Sequence, residues 1–154
     1  GGFRGGLKGR PDIQKMLLDL GFKWCSSHYP PHPMARETKP SAKVLEGIAA
    51  AQVQAQPWVY PSGLIEVPMS PISDVTGFRG GRWKLDWYLD AIRLCVEWCI
   101  EQGAVYDYLA HPSCLGVVDP KFRVIDLICD LAEKADARAQ LVDLNAFGER
   151  AVPQ

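Results

Sequence analysis

The sequence lacks the features that mark several large classes of protein. None of its five cysteines forms a Cys-x2-Cys pair, which excludes the usual ligand spacing of a zinc ribbon or a redox-active helix. No apolar run is long enough to cross a bilayer, and no charged-then-apolar signal segment opens the chain. Lys and Arg number 17 against 18 Asp and Glu, so the net charge of −1 excludes a strongly basic nucleic-acid binder. We therefore expect neither a membrane nor a nucleic acid as a partner.

What is present is the composition of a globular domain. The 154 residues are 47% hydrophobic and 23% charged, which is enough for one domain with a sizeable core. The irregularly spaced cysteines are expected to pack as small apolar side chains in a reducing compartment, which favours the cytoplasm. They are Cys25, Cys95, Cys99, Cys114 and Cys129. The first residue is Gly1 rather than Met, so we expect that a preceding segment was removed or not recorded.

Apolar spacing and breaker residues predict alternating helices and strands. Helices are expected over Pro11–Leu20, after a Ser41 cap, along the Leu85–Cys99 stripe that ends at Gly103, and behind Asp119-Pro120. Strands are expected at Phe22–Cys25, Trp58–Tyr60, Leu64–Val67, Val105–Ala110 and Gln140–Leu144. Strands separated by helices indicate parallel pairing through right-handed crossovers. The predicted class is α/β, with residues 1–154 in a single domain.

His111 lies where a strand is predicted to end, directly before Pro112. The proline favours an extended conformation for His111 as the chain leaves the sheet. In parallel α/β proteins, ligands and catalytic groups collect at the carboxyl ends of the strands. An imidazole there can transfer a proton near neutral pH, as hydrolysis of an amide or ester requires. His111 is therefore a candidate catalytic residue, and the alternative is a polar residue that only terminates the strand.

Five further residues are candidates for a site. Arg4 stands in a glycine-rich segment that could bring its guanidinium to a carboxylate or an oxyanion, although such a segment could also be a flexible terminus. Glu66 and Asp74 flank a Pro-Met-Ser-Pro run after a predicted strand, where either could bind substrate or cap a loop. His28 and His32 form a His-x3-His-Pro motif, and two imidazoles could share a zinc ion if a carboxylate joined them. No such carboxylate is close in sequence.

Three short motifs occur in an order that is informative. Gly2-Phe3-Arg4 is followed by a predicted helix and Ser26-Ser27, then by the segment Gly63–Pro68, and later by Leu109-Ala110-His111-Pro112. In this order they resemble the arginine motif, the Leu-x-Glu-x-Pro strand and the late Leu-x-His-Pro motif of the polysaccharide deacetylase family. This family is the NodB-type carbohydrate esterases. The resemblance covers most of the chain and matches the C-terminal part of the family's domain.

The resemblance implies a distorted (β/α) barrel that holds a divalent metal, usually zinc, through an Asp and two His. Water on that metal attacks an N-acetyl or related carbonyl, with a second Asp as base and the late His as acid. By position, His111 would be the acid and Arg4 would orient the base. The family's metal motifs precede the arginine segment, whereas His28-x3-His32-Pro33 follows it, so we interpret that match as a coincidence. The ligands of an implied zinc ion are therefore not identifiable in this chain.

The expected architecture is a partial (β/α) barrel, the C-terminal half of a NodB-like domain, because five strand candidates are too few for a closed barrel. A missing N-terminal half or a homo-oligomer would then complete it. The predicted function is hydrolysis of non-peptide C–N (amide) or acyl-sugar bonds, with an acylated sugar or small amide as substrate. A purine- or amide-degrading relative is a second enzyme hypothesis. The alternative is a non-catalytic, degenerate barrel that binds carbohydrate or a partner.

Overall fold

A small sheet of four short strands organises the computed structural model, which describes residues 1–6, 9–32 and 39–150. The strands follow the order β1-β2-β4-β3, with β1, β2 and β4 parallel and β3 antiparallel to β4. They are β1 (Gly2–Arg4), β2 (Trp24–Ser26), β3 (Trp58–Val59) and β4 (Ile65–Glu66). The predicted α/β class is confirmed in the form of a mostly parallel sheet accompanied by helices.

Six α-helices occur in the described part of the chain, together with shorter helical turns. The α-helices are α1 (Pro11–Asp19), α2 (Ala42–Ala51), α3 (Leu85–Gln102), α4 (Pro112–Val118), α5 (Arg123–Ala135) and α6 (Leu144–Arg150). Two 3-10 helices span Gln52–Ala55 and Asp136–Arg138, and a π-helix spans Val75–Gly80. Within the described residues, no helix is both long enough and apolar enough to cross a membrane.

Several helix boundaries lie where the sequence signals predict them. α1 begins at Pro11, whose missing N–H costs nothing in a first turn. The hydroxyl of Ser41 accepts the Val44 N–H and caps α2. α3 ends at Gly103, which adopts a left-handed φ of 61° that a side chain would disfavour. Local signals were sufficient at these three positions.

The two faces of the sheet are covered by different helices. Leu17 of α1 packs against Cys25 and Leu64 on one face. On the other face, Trp24 and Ile65 pack with apolar side chains of α6, and the Trp24 indole N–H donates to Asn145. A larger core lies between α2, α3 and α5. Its fully buried members are Ile48, Ile72, Tyr88, Ile92, Cys95 and Val124. The helices α2, α3 and α5 therefore form a core of their own, separate from the two clusters that cover the sheet.

The predicted strand Val105–Ala110 is wrong, because residues 104–111 carry no regular structure. The Gln56 side chain accepts the Val105 N–H (2.8 Å) and donates to the Val105 carbonyl (3.1 Å). A side-chain amide therefore takes the place of a neighbouring strand at that residue. The backbone pairing that remains is a bond from the Ser70 N–H to the Asp107 carbonyl, so the segment is tethered without forming a ladder.

Two further predictions of local structure are also wrong. The predicted strand Gln140–Leu144 is replaced by irregular chain and the start of α6, because the Asp143 carboxylate accepts the Ala146 N–H and caps that helix. The segment Gly77–Arg82 contains three glycines and two arginines, a composition that predicts a surface loop, but it largely belongs to the π-helix and buries Phe78. In both cases a tertiary or capping contact outweighed the local pattern.

Candidate active site

The carboxyl edge of the sheet brings polar residues from three parallel strands together. Arg4, Ser26 and Glu66 are the last residues of β1, β2 and β4. Parallel strands end at the same edge, so these side chains share it although they are 22 to 62 positions apart in sequence. This edge is where parallel α/β proteins bind ligands.

Arg4 forms an ion pair with Asp107, a residue that was not among the candidates drawn from the sequence. Its guanidinium donates to Asp107 Oδ1 at 2.7 Å, and Ser26 Oγ donates to Asp107 Oδ2 at 3.0 Å. Arg4 is about one-third exposed, at 32%, whereas the Asp107 side chain is 7% exposed. An aspartate inside a predicted strand is unusual, and that position was the available signal for Asp107. Arg4 is therefore held in the sheet and bound to a carboxylate rather than lying in a flexible terminus.

His111 forms a dyad with Asp74. Its Nδ1 lies 2.8 Å from Asp74 Oδ1, and the backbone N–H groups of His111 (2.8 Å) and Leu115 (3.0 Å) donate to Oδ2. The Val75 N–H also donates to Oδ1 (2.8 Å). Asp74 is fully buried, and its two oxygens accept four hydrogen bonds. This geometry makes Asp74 the orienting partner of His111 and favours that role over direct contact with a substrate.

The opposite nitrogen of the imidazole faces outward. The His111 side chain is 46% exposed, while its backbone is extended (φ −119°, ψ 125°), as expected from Pro112. Because Asp74 accepts the proton of Nδ1, the neutral ring presents Nε2 as an acceptor, and the protonated ring presents it as a donor. A buried carboxylate behind a half-exposed imidazole is the arrangement that proton transfer to a bound ligand requires.

Glu66 is the centre of a second buried network. Its carboxylate accepts the N–H groups of Ser27 (2.7 Å) and His28 (2.8 Å), the hydroxyls of Ser27 (2.8 Å) and Tyr60 (3.0 Å), and the Cys25 thiol (3.1 Å). Burial raises the pKa of Glu66, but the hydrogen bonds from Ser27, Cys25 and His28 bring it below its usual value. Burial together with Glu66 raises the pKa of Tyr60 to about 12. These contacts favour Glu66 as an anchor of the loop after β2 rather than as a substrate ligand.

The two loop histidines do not form a metal site with the other described residues. The His28 ring packs edge-on against Trp58 at 5.2 Å between centroids. His32 Nδ1 lies 3.2 Å from the Pro30 carbonyl, and burial lowers the pKa of this imidazole. The last residue of their motif, Pro33, lies outside the described residues. In the described ranges, no group of three or more His, Cys, Asp or Glu could hold a metal ion, so the implied zinc does not fit them.

The two pairs are connected through the chain and through the loop after β2. Asp107 and His111 lie on the same irregular segment, and four residues span at most about 14 Å. The Tyr29 hydroxyl accepts the Ser73 N–H (3.0 Å) and lies 2.8 Å from Thr76 Oγ1, so this loop contacts the residues on either side of Asp74. The candidate site therefore combines a His–Asp dyad with an Arg–Asp pair.

Comparisons with protein-family models, with curated proteins and with solved structures found no match to this chain.

Proposed function

We propose that this chain is part of a hydrolase that cleaves amide C–N or acyl-sugar bonds, with His111 as the general acid. The observation that carries the proposal is the buried Asp74 carboxylate 2.8 Å from Nδ1 of a half-exposed imidazole. Breaking an amide bond requires a proton for the departing nitrogen, and a positioned imidazolium supplies it near neutral pH. The resemblance to polysaccharide deacetylases supports the same role for His111 and an acylated sugar or small amide as substrate.

In the proposed reaction, each dyad residue has one task. His111 Nε2 donates its proton to the leaving nitrogen or oxygen as the bond to the carbonyl carbon breaks. Asp74 holds the ring by its Nδ1 proton and stabilises the positive charge before that transfer, but it remains ionised. Arg4 would orient the base, and Asp107 is the carboxylate that it contacts. Asp107 is therefore the candidate base in the described residues, taking a proton from the attacking water as the water oxygen bonds to the carbonyl carbon. No step is assigned to a metal, because those residues do not fit a zinc site.

We extend the proposal to the architecture and the compartment. Three parallel strands with helices between them, and polar groups at their carboxyl edge, support a partial (β/α) barrel of the polysaccharide deacetylase type. β1 and β3 are the edge strands of the sheet, and such edges are suited to pairing with further strands, from a missing half or another copy. The five cysteines form no disulfide, which supports a reducing compartment such as the cytoplasm.

The experiment is deacetylation kinetics on N-acetylated sugars and small amides. We expect His111→Ala to lower kcat by about 10²- to 10⁴-fold, the usual contribution of a positioned acid or base. His28→Ala is the matched control, since the His28 ring packs on Trp58 and has no place in the proposed chemistry. A kcat for His111→Ala within twofold of the wild type would remove this residue from the mechanism and refute the proposal.

A non-catalytic carbohydrate-binding barrel is the second candidate function. The described residues contain no cluster of metal ligands. The resembled family needs such a cluster for hydrolysis, so this observation favours the non-catalytic function. A binding protein would retain a glycan without converting it, and His111→Ala would not abolish retention. Glycan binding with no product from any acylated substrate would favour this function over the hydrolase.

A further inference from the structure

The π-helix at Val75–Gly80 begins at the residue that orients the imidazole. Asp74 is its N-terminal cap, and Arg79 lies five residues later, one π-helical turn along. The backbone shows this wide turn in the bond from the Gly81 N–H to the Thr76 carbonyl (2.9 Å). π-helical turns are rare and are frequent at functional sites. Asp74 and Arg79 are therefore carried by one short, unusual element.

Buried aromatic contacts fix this element in place. Phe78 is buried, and its ring centroid lies 4.6 Å from that of Tyr88 in α3. A Cβ on Gly77 would come within 2.6 Å of the same tyrosine ring, so the glycine allows this close approach. With Phe78 anchored in the core, the next residue, Arg79, is exposed. The guanidinium is therefore exposed at the surface, while the helical turn that carries it is anchored in the core through Phe78.

The guanidinium of Arg79 reaches the helix that His111 precedes. Its Nη2 donates to the Ser113 carbonyl at 3.3 Å, two residues after His111. The Cys114 thiol lies near both Arg79 and Asp74. Burial raises the pKa of this thiol and Asp74 raises it further, while Arg79 lowers it, so both charges lie near one sulfur atom. Arg79 therefore lies close to the dyad.

The guanidinium of Arg79 makes no direct ion pair with a carboxylate in the described residues, although Asp74 lies nearby. Arg79 forms no salt bridge within the described ranges, and the four hydrogen bonds accepted by Asp74 come from other donors. A guanidinium has five N–H donors in a planar fork; here the Ser113 carbonyl takes one and the Cys114 side chain lies within reach of the group, so further donors remain. Such a fork matches the two oxygens of a carboxylate.

We propose that Arg79 is a specificity-determining residue that binds a carboxylate on the substrate, beside the exposed nitrogen of His111. This inference rests on the proposed function and narrows its substrate class to acylated compounds with a carboxylate near the scissile bond. The Ser113 contact holds the guanidinium at the first turn of α4, which begins directly after His111. A neutral substrate would leave the guanidinium without its partner and would bind more weakly.

The test compares N-acetylglycine with N-acetylglycinamide, which differ only in the carboxylate. Their dissociation constants are measured by NMR titration of the His111 ring resonances in the wild type, Arg79→Gln and Arg79→Lys. We expect the acid to bind about 10- to 100-fold more tightly than the amide, the size of a charge-assisted hydrogen-bond pair. Arg79→Gln should remove this preference, Arg79→Lys should keep part of it, and Arg138→Gln, an exposed control, should leave it unchanged.

Equal affinities for the two compounds, no binding of the acid, or a preference that survives Arg79→Gln would each overturn the assignment. The proposed hydrolase is tested separately by turnover. Hydrolysis without a preference for the acid would refute the role of Arg79 and leave the hydrolase standing. A preference for the acid without turnover of any substrate would support the carboxylate site and refute the hydrolase.

Discussion

Replacing Asp74 by asparagine tests the dyad through a change of one atom. The carboxylate accepts two hydrogen bonds at each oxygen, from Val75 N–H and His111 Nδ1 at Oδ1, and from His111 N–H and Leu115 N–H at Oδ2. An amide nitrogen cannot accept a hydrogen bond, so the donors at the oxygen it replaces lose their acceptor.

The structure determines which orientation the amide adopts. With nitrogen at the Oδ2 position, two backbone N–H groups would be left unpaired, at a cost of about 2–6 kcal/mol. With nitrogen at the Oδ1 position, only the Val75 N–H is unpaired, because the imidazole can move its proton to Nε2 and accept from the amide. We therefore expect the second orientation and a loss of about 1–3 kcal/mol in the free energy of unfolding. That is a measurable fraction of a total stability of roughly 5–15 kcal/mol.

Two measurements check this reasoning. Urea unfolding followed by tryptophan fluorescence gives the change in the free energy of unfolding. Nitrogen-15 shifts of the His111 ring at neutral pH report the tautomer, which should change from Nδ1–H in the wild type to Nε2–H in Asp74→Asn. Turnover should also fall, toward the about 10²- to 10⁴-fold loss of His111→Ala, because the protonated ring loses its counter-charge.

The control is Asp130→Asn, which makes the same atomic change on an exposed residue of α5. We expect it to change the stability by less than about 0.5 kcal/mol. Two results would refute the argument for Asp74. One is a stability change as small as that of the control, and the other is a His111 ring that still carries its proton on Nδ1 in Asp74→Asn.

Three further predictions concern the residues that hold the site. Because the pKa of Glu66 is lowered in the folded state, its contribution to stability is present above pH 4.5 and is lost as the pH falls through the folded-state pKa. In acid unfolding curves, the stability of Glu66→Gln should therefore decline less steeply below pH 4.5 than that of the wild type. Gln56→Ala should reduce the free energy of unfolding by about 1–3 kcal/mol, measured with urea, because the Val105 N–H loses its acceptor, and an unchanged value would contradict the tether. Gly77→Ala should lower the free energy of unfolding by about 1–3 kcal/mol, because the added methyl group would overpack against a buried tyrosine ring. Gly116→Ala, with open space around its Cβ position, should not show this decrease.

Sequence alone determined the elements whose signals are local. Each of these signals depends on neighbours within a few residues, so no distant contact was needed to recognise it. They are the apolar stripe of α3 with Gly103 at its end, the Ser41 cap of α2 and the Pro11 start of α1. The extended backbone of His111 followed from Pro112 in the same way. The Trp58–Tyr60 and Leu64–Val67 predictions contain the observed antiparallel pair β3 and β4, since the turn between them is short.

Only the tertiary structure decided which of these residues act together. Asp107 lies 103 positions from Arg4, and Asp74 lies 37 positions from His111, so no spacing rule could pair either of them. The failure of the strand at 105–110 has the same origin, because the competing partner is a glutamine side chain 49 positions away. Residue types and local periodicity are properties of the chain itself, whereas a hydrogen-bonded carboxylate partner is selected by packing. The candidate site is accordingly a product of the parallel sheet edge and of the segments that pack beside it.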